Sequence, residues 1–315
     1  MFHFKKRKFV KNSINENRFE KYIAEATNAT CSTDLKNAYL HTVNTLKSTL
    51  SDCDVTKSVV GLDDEGNPIF WDMEKGNLLA AASMGTSMDY LSCCLPIFSM
   101  TLRFSPDEFQ FFYLSDDCYS LAKMFPEYCR GESYRFTKNK NEICGKIVDE
   151  LQHRSRLKKN ELEKEPFLLI AIGNPYRSTE GAEKQLVDKM FELLMTSAQR
   201  LRCAVMMMTR HFEEDPYYCY YQDRCKYVLL GRCDERYSLV FLGNLDASKK
   251  EVMRDVYPWE KAFRSENKSP WFYGLKCFLL HDDGKQLIHT PYLEIAEYLS
   301  GCSFPSAASS KAKSI

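Results

Sequence analysis

The sequence predicts an α/β protein with a mostly parallel central sheet and helices on both faces. Short apolar runs of the kind that form strands buried on both faces recur along the chain, and segments with apolar residues at helical spacing separate them. Strands that alternate with helices in this way are typical of parallel sheets with crossover helices. At 315 residues, the chain can bury a sizeable core as one large domain or two smaller ones.

Five core strands and two hairpins are predicted. The core strands are Leu78–Ala82, Glu108–Leu114, Phe167–Ile172, Cys203–Met208 and Lys226–Gly231. One hairpin precedes them, with a turn at Asp63–Asn67 between strands Ser58–Leu62 and Pro68–Asp72. The other is C-terminal, with strands near 274–280 and 285–290.

Helices are predicted between the strands. Apolar positions from Leu35 to Leu50 indicate an N-terminal helical segment, and Pro96 predicts a kink in the helix that starts at Ser87. A short helix is expected at Leu121 and Met124. The remaining predicted helices are a long charged one at 141–163, one at 180–200, a short one from Glu235 and a polar one near 247–257.

Composition divides the chain into three parts. Residues 1–54 form a basic arm and helical segment, residues 55–300 form the α/β domain, and residues 301–315 are a Ser-, Ala- and Lys-rich tail expected to be disordered. The Met1 start and this tail favour a stand-alone protein over a piece of a tandem one.

The overall charge points to no particular partner, but two local clusters are basic. Lysine plus arginine and aspartate plus glutamate number 43 each. The clusters, which are candidate nucleic-acid contacts, contain Lys5, Lys6, Arg7, Lys8, Arg154 and Arg156. The alternative interpretation is a solubilising arm and a solvated helix face.

The thirteen cysteines do not form a secreted-scaffold pattern. No C-x-x-C pair occurs, and many cysteines lie in apolar runs, which favours reduced buried thiols in a cytoplasmic protein. Cys219, Cys225 and Cys233 with His211 match no common zinc spacing, so we predict no metal site. No signal peptide or membrane span is predicted, and contact with the inner face of a membrane would go through partners.

The segment from Asn77 to Tyr90 has the strand, glycine turn and helix of a phosphate-binding loop without its chemistry. The pattern G-x-x-x-x-G-K-[ST] needs a lysine for the phosphates and a hydroxyl for Mg²⁺. Met88 and Asp89 occupy these two positions, and Ala82 and Ser87 replace the glycines. The vestigial loop consists of Ser83, Met84, Gly85, Thr86, Ser87, Met88 and Asp89.

Several segments in order resemble the FtsK/SpoIIIE family of ring ATPases, which includes ATPase domains of type VII secretion. Beyond the loop, they are Gly61–Met73, Phe104–Asp116, Glu150–Arg156, Pro166–Asn174, Arg200–Arg210 and Lys226–Gly243. The resemblance covers roughly Val55 to Tyr292 and implies a RecA-like P-loop NTPase fold. It also implies an Asp-Glu pair at the end of the Phe167 strand and a sensor glutamine at 210.

The catalytic residues that the resemblance implies are absent. Gly173 and Asn174 stand at the Asp-Glu positions, and Arg210 replaces the glutamine. Those carboxylates would organise Mg²⁺ and the attacking water. We therefore assign no catalytic residue and expect no cofactor, with ATP and Mg²⁺ binding at most weakly. Met88 is expected to pack where phosphates would lie.

The leading hypothesis is a pseudo-ATPase that binds partners, either translocase ring subunits or an exported protein, and that could form a homo-oligomer. The candidate partner-binding loop carries Tyr217, Tyr218, Tyr220 and Tyr221, and aromatic residues of this kind anchor interfaces. Packing of these tyrosines onto the body is an equal alternative. The other functional hypotheses are an active ATP-driven DNA translocase with an unusual loop, and a DNA-binding structural subunit.

Overall fold

The computed structural model describes most of the α/β domain and part of the N-terminal segment. The described residues are 19–21, 23–24, 33–49, 51, 54–81, 88–115, 120–134, 137, 139–173, 181–209, 224–249, 253, 274–281 and 284–291.

Ten strands form one sheet. They are β1 (Lys57–Leu62), β2 (Pro68–Asp72), β3 (Asn77–Ala81), β4 (Phe109–Leu114), β5 (Cys129–Ser133), β6 (Phe167–Gly173), β7 (Cys203–Thr209), β8 (Cys225–Leu230), β9 (Gly274–His281) and β10 (Gly284–Pro291). Their spatial order is β2-β1-β10-β9-β8-β3-β7-β6-β4-β5. The six strands from β8 to β5 are parallel, and the four at the other end are antiparallel.

Helices cover both faces of this sheet. The α-helices among the described residues are α1 (Thr33–Lys47), α2 (Met88–Arg103), α3 (Lys140–Arg156), α4 (Lys159–Leu162), α5 (Ala182–Ser197) and α6 (Glu235–Leu242). Two separate apolar cores result. One contains buried residues of α1 and α2, and the other contains those of α3, α5 and α6. The predicted fold class is therefore confirmed, including the mostly parallel sheet and the C-terminal hairpin β9–β10.

The core strands form where the apolar runs predicted them. Every residue of β3, β6 and β7 is buried, as expected for strands with helices on both sides. The β1–β2 turn is fixed by Asp63, whose Oδ1 accepts hydrogen bonds from the backbone N–H groups of Glu65 (3.0 Å) and Asn67 (2.7 Å). Gly66 supplies the positive φ of 87° in the same turn.

Three secondary-structure predictions need correction. The expected short helix at Leu121 and Met124 is a series of turns, and β5 follows it unpredicted. The expected helix at 141–163 is broken at Leu157, whose extended backbone (ψ 143°) separates α3 from α4. The 180–200 helix ends at Ser197, and a 3₁₀ turn, Gln199–Leu201, continues the chain.

Two helix predictions are not fully tested, the kink at Pro96 and the polar helix near 247–257. The α-helix α2 continues through Pro96, whose carbonyl accepts hydrogen bonds from the hydroxyls of Ser58 (3.0 Å) and Ser99 (2.9 Å). Most of the predicted helix near 247–257 lies outside the described residues.

Candidate functional site

Strand β3 lies inside the sheet, between β7 and β8. The chain crosses from β3 to β4 in one direction and later from β7 past β3 to β8 in the other, so the direction of the connections reverses between β3 and β7. In open α/β sheets, ligands bind outside the carboxyl ends of the strands at such a reversal. The carboxyl edge of β3 is therefore the candidate functional site.

The carboxyl end of β3 is held by its neighbours in register. Ala81 pairs with Thr209 of β7 and Leu230 of β8, and its carbonyl accepts a hydrogen bond of 2.8 Å from the N–H of Gly231. Residues 82–87 connect this point to the first residue of α2, Met88. The strand, connection and helix thus follow one another as in a phosphate-binding loop, and the first N–H groups of a helix have no intrahelical partner.

Much of the vestigial loop lies outside the described residues. This applies to Ser83–Ser87 and to the side chains of Met88 and Asp89. The packing of Met88 into a phosphate hollow remains a prediction for this reason.

The end of β6 carries no carboxylate at its described position. Gly173 is buried, closes β6 and pairs with Met208 of β7, which places it two strands from β3. Glycine has no side chain to ligand Mg²⁺ or to orient a water molecule. The second position, Asn174, lies outside the described residues.

The sequence did not predict a role for the buried hydroxyl of Thr209 at this edge. Thr209, which ends β7 beside Ala81, is 1% exposed, and its Oγ1 has no hydrogen-bond partner among the described residues. Burial of an unpaired hydroxyl costs about 1–3 kcal/mol. Thr209 is therefore the described polar group best placed to respond to a molecule at the carboxyl edge.

The structure separates the residues of the second basic cluster. Arg156 is exposed at the end of α3, but Arg154 is fully buried. The Arg154 guanidinium donates to Glu150 Oε1 (2.7 Å) and to the carbonyls of Leu201 (3.3 Å), Arg202 (3.3 Å) and Pro166 (3.0 Å). Its placement as a nucleic-acid contact is wrong, because every nitrogen of the guanidinium already binds the protein.

Arg154 instead fixes α3 to the amino ends of β6 and β7. Glu150 also accepts a hydrogen bond of 2.6 Å from Arg130 of β5, so one carboxylate joins two arginines. The four-residue spacing of Glu150 and Arg154 on a helix gave the signal for this pair. Nothing in the sequence indicated the contact with Arg130, because strand β5 was not predicted.

Asn77 forms a second buried polar contact at the amino edge. Its Oδ1 accepts hydrogen bonds from the backbone N–H of Val205 (3.1 Å) and from Gln199 Nε2 (2.7 Å). These bonds tie the first residue of β3 to β7 and to the 3₁₀ turn.

The nearby thiols are inert at neutral pH, since burial raises the pKa of Cys203 and of Cys225 to about 12.

The other candidate residues are outside the described part of the chain. They are Lys5, Lys6, Arg7, Lys8, Tyr217, Tyr218, Tyr220 and Tyr221. Among the described residues, no group of three or more histidine, cysteine or acidic side chains is arranged to hold a metal ion. None of the helices in those same ranges has the length and apolar character needed to cross a membrane.

The architecture is that of the P-loop ATPase fold, and several solved structures share this fold. The chain is similar to Thermomonospora curvata EccC (ATPases 2 and 3) in complex with a signal sequence peptide, with 14% identity and a TM-score of 0.51. It is similar to the cytoplasmic domain of the same Type VII secretion ATPase, with 12% identity and a TM-score of 0.50. The third is the pCW3 conjugation coupling protein TcpA in its monomer form with ATPγS, with 12% identity and a TM-score of 0.51.

These likenesses cover about three quarters of the chain but differing shares of the other proteins. The matches include 75% of this chain and 40% or 26% of the two EccC chains, and 76% of this chain and 67% of TcpA. No family model and no curated protein matches the sequence. The chain has the fold of FtsK/SpoIIIE-type ATPase motor domains and spans less than half the length of the EccC chains.

Proposed function

We propose that the protein is a catalytically inactive, FtsK/SpoIIIE-like pseudo-ATPase that serves as a structural or partner-binding component of a translocation or type VII secretion machine. The observation that carries this proposal is Gly173, which ends β6 at the carboxyl edge where an active site of this fold would need a carboxylate. The sequence adds Met88 and Asp89 in place of the lysine and hydroxyl. Together these substitutions remove both the phosphate clamp and the ligands that organise Mg²⁺ and water.

The energetic argument concerns the transition state. A charge-assisted hydrogen bond is worth about 1.5–3 kcal/mol, and loss of one group that stabilises the developing charge costs about 10²–10³ in rate. The losses at positions 88, 89 and 173 concern different contacts with the same triphosphate. Even without strict additivity, they leave too little stabilisation for a useful hydrolase.

The test is calorimetric titration of the protein with Mg-ATP, together with a phosphate-release assay. We expect no saturable heat at micromolar nucleotide and no release above the protein-free rate. Micromolar affinity with turnover would contradict the proposal and support the active DNA translocase. A Met88→Lys/Asp89→Thr variant is the matched comparison, and we expect it to bind Mg-ATP at least about tenfold more tightly than the natural sequence.

A capture experiment with immobilised protein tests whether the protein binds partners. Immobilised protein is offered exported helical-hairpin proteins in one arm and duplex DNA in the other. Retention of a hairpin protein, reduced by alanine at Tyr217, Tyr218, Tyr220 and Tyr221, is the expected result. Retention of DNA alone, with steep loss as salt rises, would instead indicate the DNA-binding structural subunit.

A further inference from the structure

A groove opens at the amino edge of the sheet, on the side opposite the candidate nucleotide site. It has a volume of about 630 Å³, and its walls come from the end of α3, from α4, and from the starts of β6 and β7. Phe167 lines it, whereas Gly173 at the other end of β6 lies at the carboxyl edge. Six residue steps at about 3.3 Å separate the two edges by roughly 20 Å.

Positive side chains predominate in this amino-edge groove. Lys159, Arg200 and Arg202 line it, and the buried Arg154 lies beneath it. Arg154 is already paired with Glu150. The remaining three cations exceed the two lining carboxylates, Glu74 and Glu163, by one. Leu157, Leu162 and Leu201 supply apolar wall. Nine of the fourteen lining residues are polar or charged, so the groove suits a charged ligand better than an apolar one.

Arg202 is the best-placed group in the groove. It is partly buried, and its Nε donates a hydrogen bond of 2.9 Å to the carbonyl of Glu165, which fixes the plane of the guanidinium. Among the described residues, the two terminal nitrogens form no hydrogen bond or ion pair. A guanidinium held by one edge and open at the other presents a two-pronged donor to a carboxylate or phosphate.

The backbone conformation and the positive charge of Arg202 are both energetically unfavourable. Its φ of 58° and ψ of 41° place a non-glycine residue in the left-handed region, at a position after a helical turn where glycine is usual. Such conformations are unfavourable for a residue with a side chain and are concentrated at binding sites. Burial and the neighbouring Arg154 lower the pKa of Arg202, because both disfavour its positive charge, and the carboxylates of Glu163 and Glu74 offset this only in part. A bound anion would relieve this unfavourable charge.

We propose that the amino-edge groove is a binding site for a small organic oxyanion, a phosphate ester or a multivalent carboxylate, held by Arg202 with Arg200 and Lys159 adding charge. The site is separate from the nucleotide edge and does not depend on the pseudo-ATPase proposal. The apolar wall accommodates the body of the ligand, and the free edge of the guanidinium binds its charged group.

The experiment is calorimetric titration with two probes, pyrophosphate and citrate, with sucrose as the uncharged control. The two anions distinguish phosphate from carboxylate as the preferred group. The main variant is Arg202→Asn, because asparagine tolerates left-handed backbone and removes the guanidinium. Arg200→Gln is a second variant at an exposed position that leaves the backbone of residue 202 unchanged. Arg156→Gln, exposed on α3 and not part of the groove wall, is the matched control.

We expect saturable binding of at least one anion, a loss of about 10–100-fold in affinity in Arg202→Asn, and a smaller loss in Arg200→Gln. Arg156→Gln should bind within about twofold of the natural protein. Absence of saturable binding by both probes would overturn the proposal. So would equal affinity in Arg202→Asn and Arg200→Gln, or an equal loss in Arg156→Gln, which would indicate diffuse surface charge.

Discussion

The two edges of the parallel sheet differ in how polar side chains are used. At the carboxyl edge, β3, β6 and β7 end in Ala81, Gly173 and Thr209, and none of these three takes part in an ion pair. At the amino edge, the same strands are joined to α3 and the 3₁₀ turn by Asn77 and Arg154. The carboxyl ends of these three strands therefore carry small uncharged residues, whereas polar and charged side chains hold their amino ends.

Buried polar side chains at the amino edge have two different roles. Arg154 is bonded to Glu150 and to backbone carbonyls, and Asn77 accepts from Gln199 and Val205, so these bonds contribute to the stability of the fold. Arg202 lies beside them but leaves the outer nitrogens of its guanidinium open to the groove. Polar groups with complete hydrogen bonding stabilise, and those with unused donors are the ones that can recognise a ligand. The predictions below separate these roles, and they run from the largest expected effect to the smallest.

The largest expected effect concerns alkaline pH and the thiols at the amino edge. Cys203 and Cys225 begin β7 and β8, and burial raises the pKa of each to about 12 from an ordinary value near 9. A pKa raised in the folded state gives stability that is complete below about pH 9 and is lost as pH rises toward 12. Each thiol should contribute a loss of about 1.4 kcal/mol per pH unit in that window.

The measurement is denaturant unfolding at a series of pH values from 8 to 11. A Cys203→Ala/Cys225→Ala variant should be less stable at pH 8, because it creates small cavities, but should lose stability less steeply above pH 9. Lysine and tyrosine titration is common to both proteins and cancels in the comparison. Equal slopes would show that these thiols are not kept protonated by burial.

The sequence predicted the part of the fold that depends on continuous apolar runs. The core strands were found because β3, β6 and β7 are buried throughout and β4 and β8 are interrupted by a polar residue only at Gln110 and Lys226. Strand β5 was missed because Arg130, Gly131 and Glu132 interrupt its pattern, and it forms by pairing with β4. The break at Leu157 was missed because charged residues continue on both sides of it.

The two edges were predictable to different degrees. The carboxyl edge could be located from sequence because a strand, glycine turn and helix follow one another within a few residues. The amino-edge groove could not, because Glu74, Lys159 and Arg202 come from distant segments. Arg154 was assigned to the surface on composition alone, and its burial follows from carbonyls just before β6 and β7 that only the tertiary structure brings together.

Replacement of Arg154 should give the next largest effect. Arg154→Met removes donors to Glu150 and to three carbonyls in a fully buried position. We expect a loss of about 3–5 kcal/mol in the free energy of unfolding, since Glu150 loses one of its two arginine partners and three carbonyls lose their donor. Arg156→Met, two residues away and exposed, should change stability by less than about 0.5 kcal/mol.

A double variant tests whether the pair is the cause. Glu150→Met/Arg154→Met should lose less stability than the two single variants combined, because the bond between Glu150 and Arg154 is lost in each single variant but only once in the double variant. A loss below about 1 kcal/mol in Arg154→Met would show that the network does not hold α3 to the sheet.

Asn77→Ala should have an intermediate effect. The substitution leaves the buried N–H of Val205 without its acceptor, which costs about 1–3 kcal/mol. Gln199→Ala is the comparison, because it removes one donor to Asn77 but keeps the bond from Val205. Chemical denaturation should place Gln199→Ala between the natural protein and Asn77→Ala, and the reverse order would assign the main contribution to Gln199.

The smallest effect is expected at the carboxyl edge, with Thr209→Val. The hydroxyl of Thr209 is buried with no partner among the described residues, so valine of similar shape should leave stability unchanged or raise it by up to about 1 kcal/mol. Thr290→Val is the matched control, because the equally buried Thr290 hydroxyl donates to the carbonyl of Val60 at 3.1 Å. That control should lose about 1 kcal/mol. If Thr209→Val is destabilised as much as Thr290→Val, the Thr209 hydroxyl has a partner in solution, and the carboxyl edge is more polar than the comparison of the two edges implies.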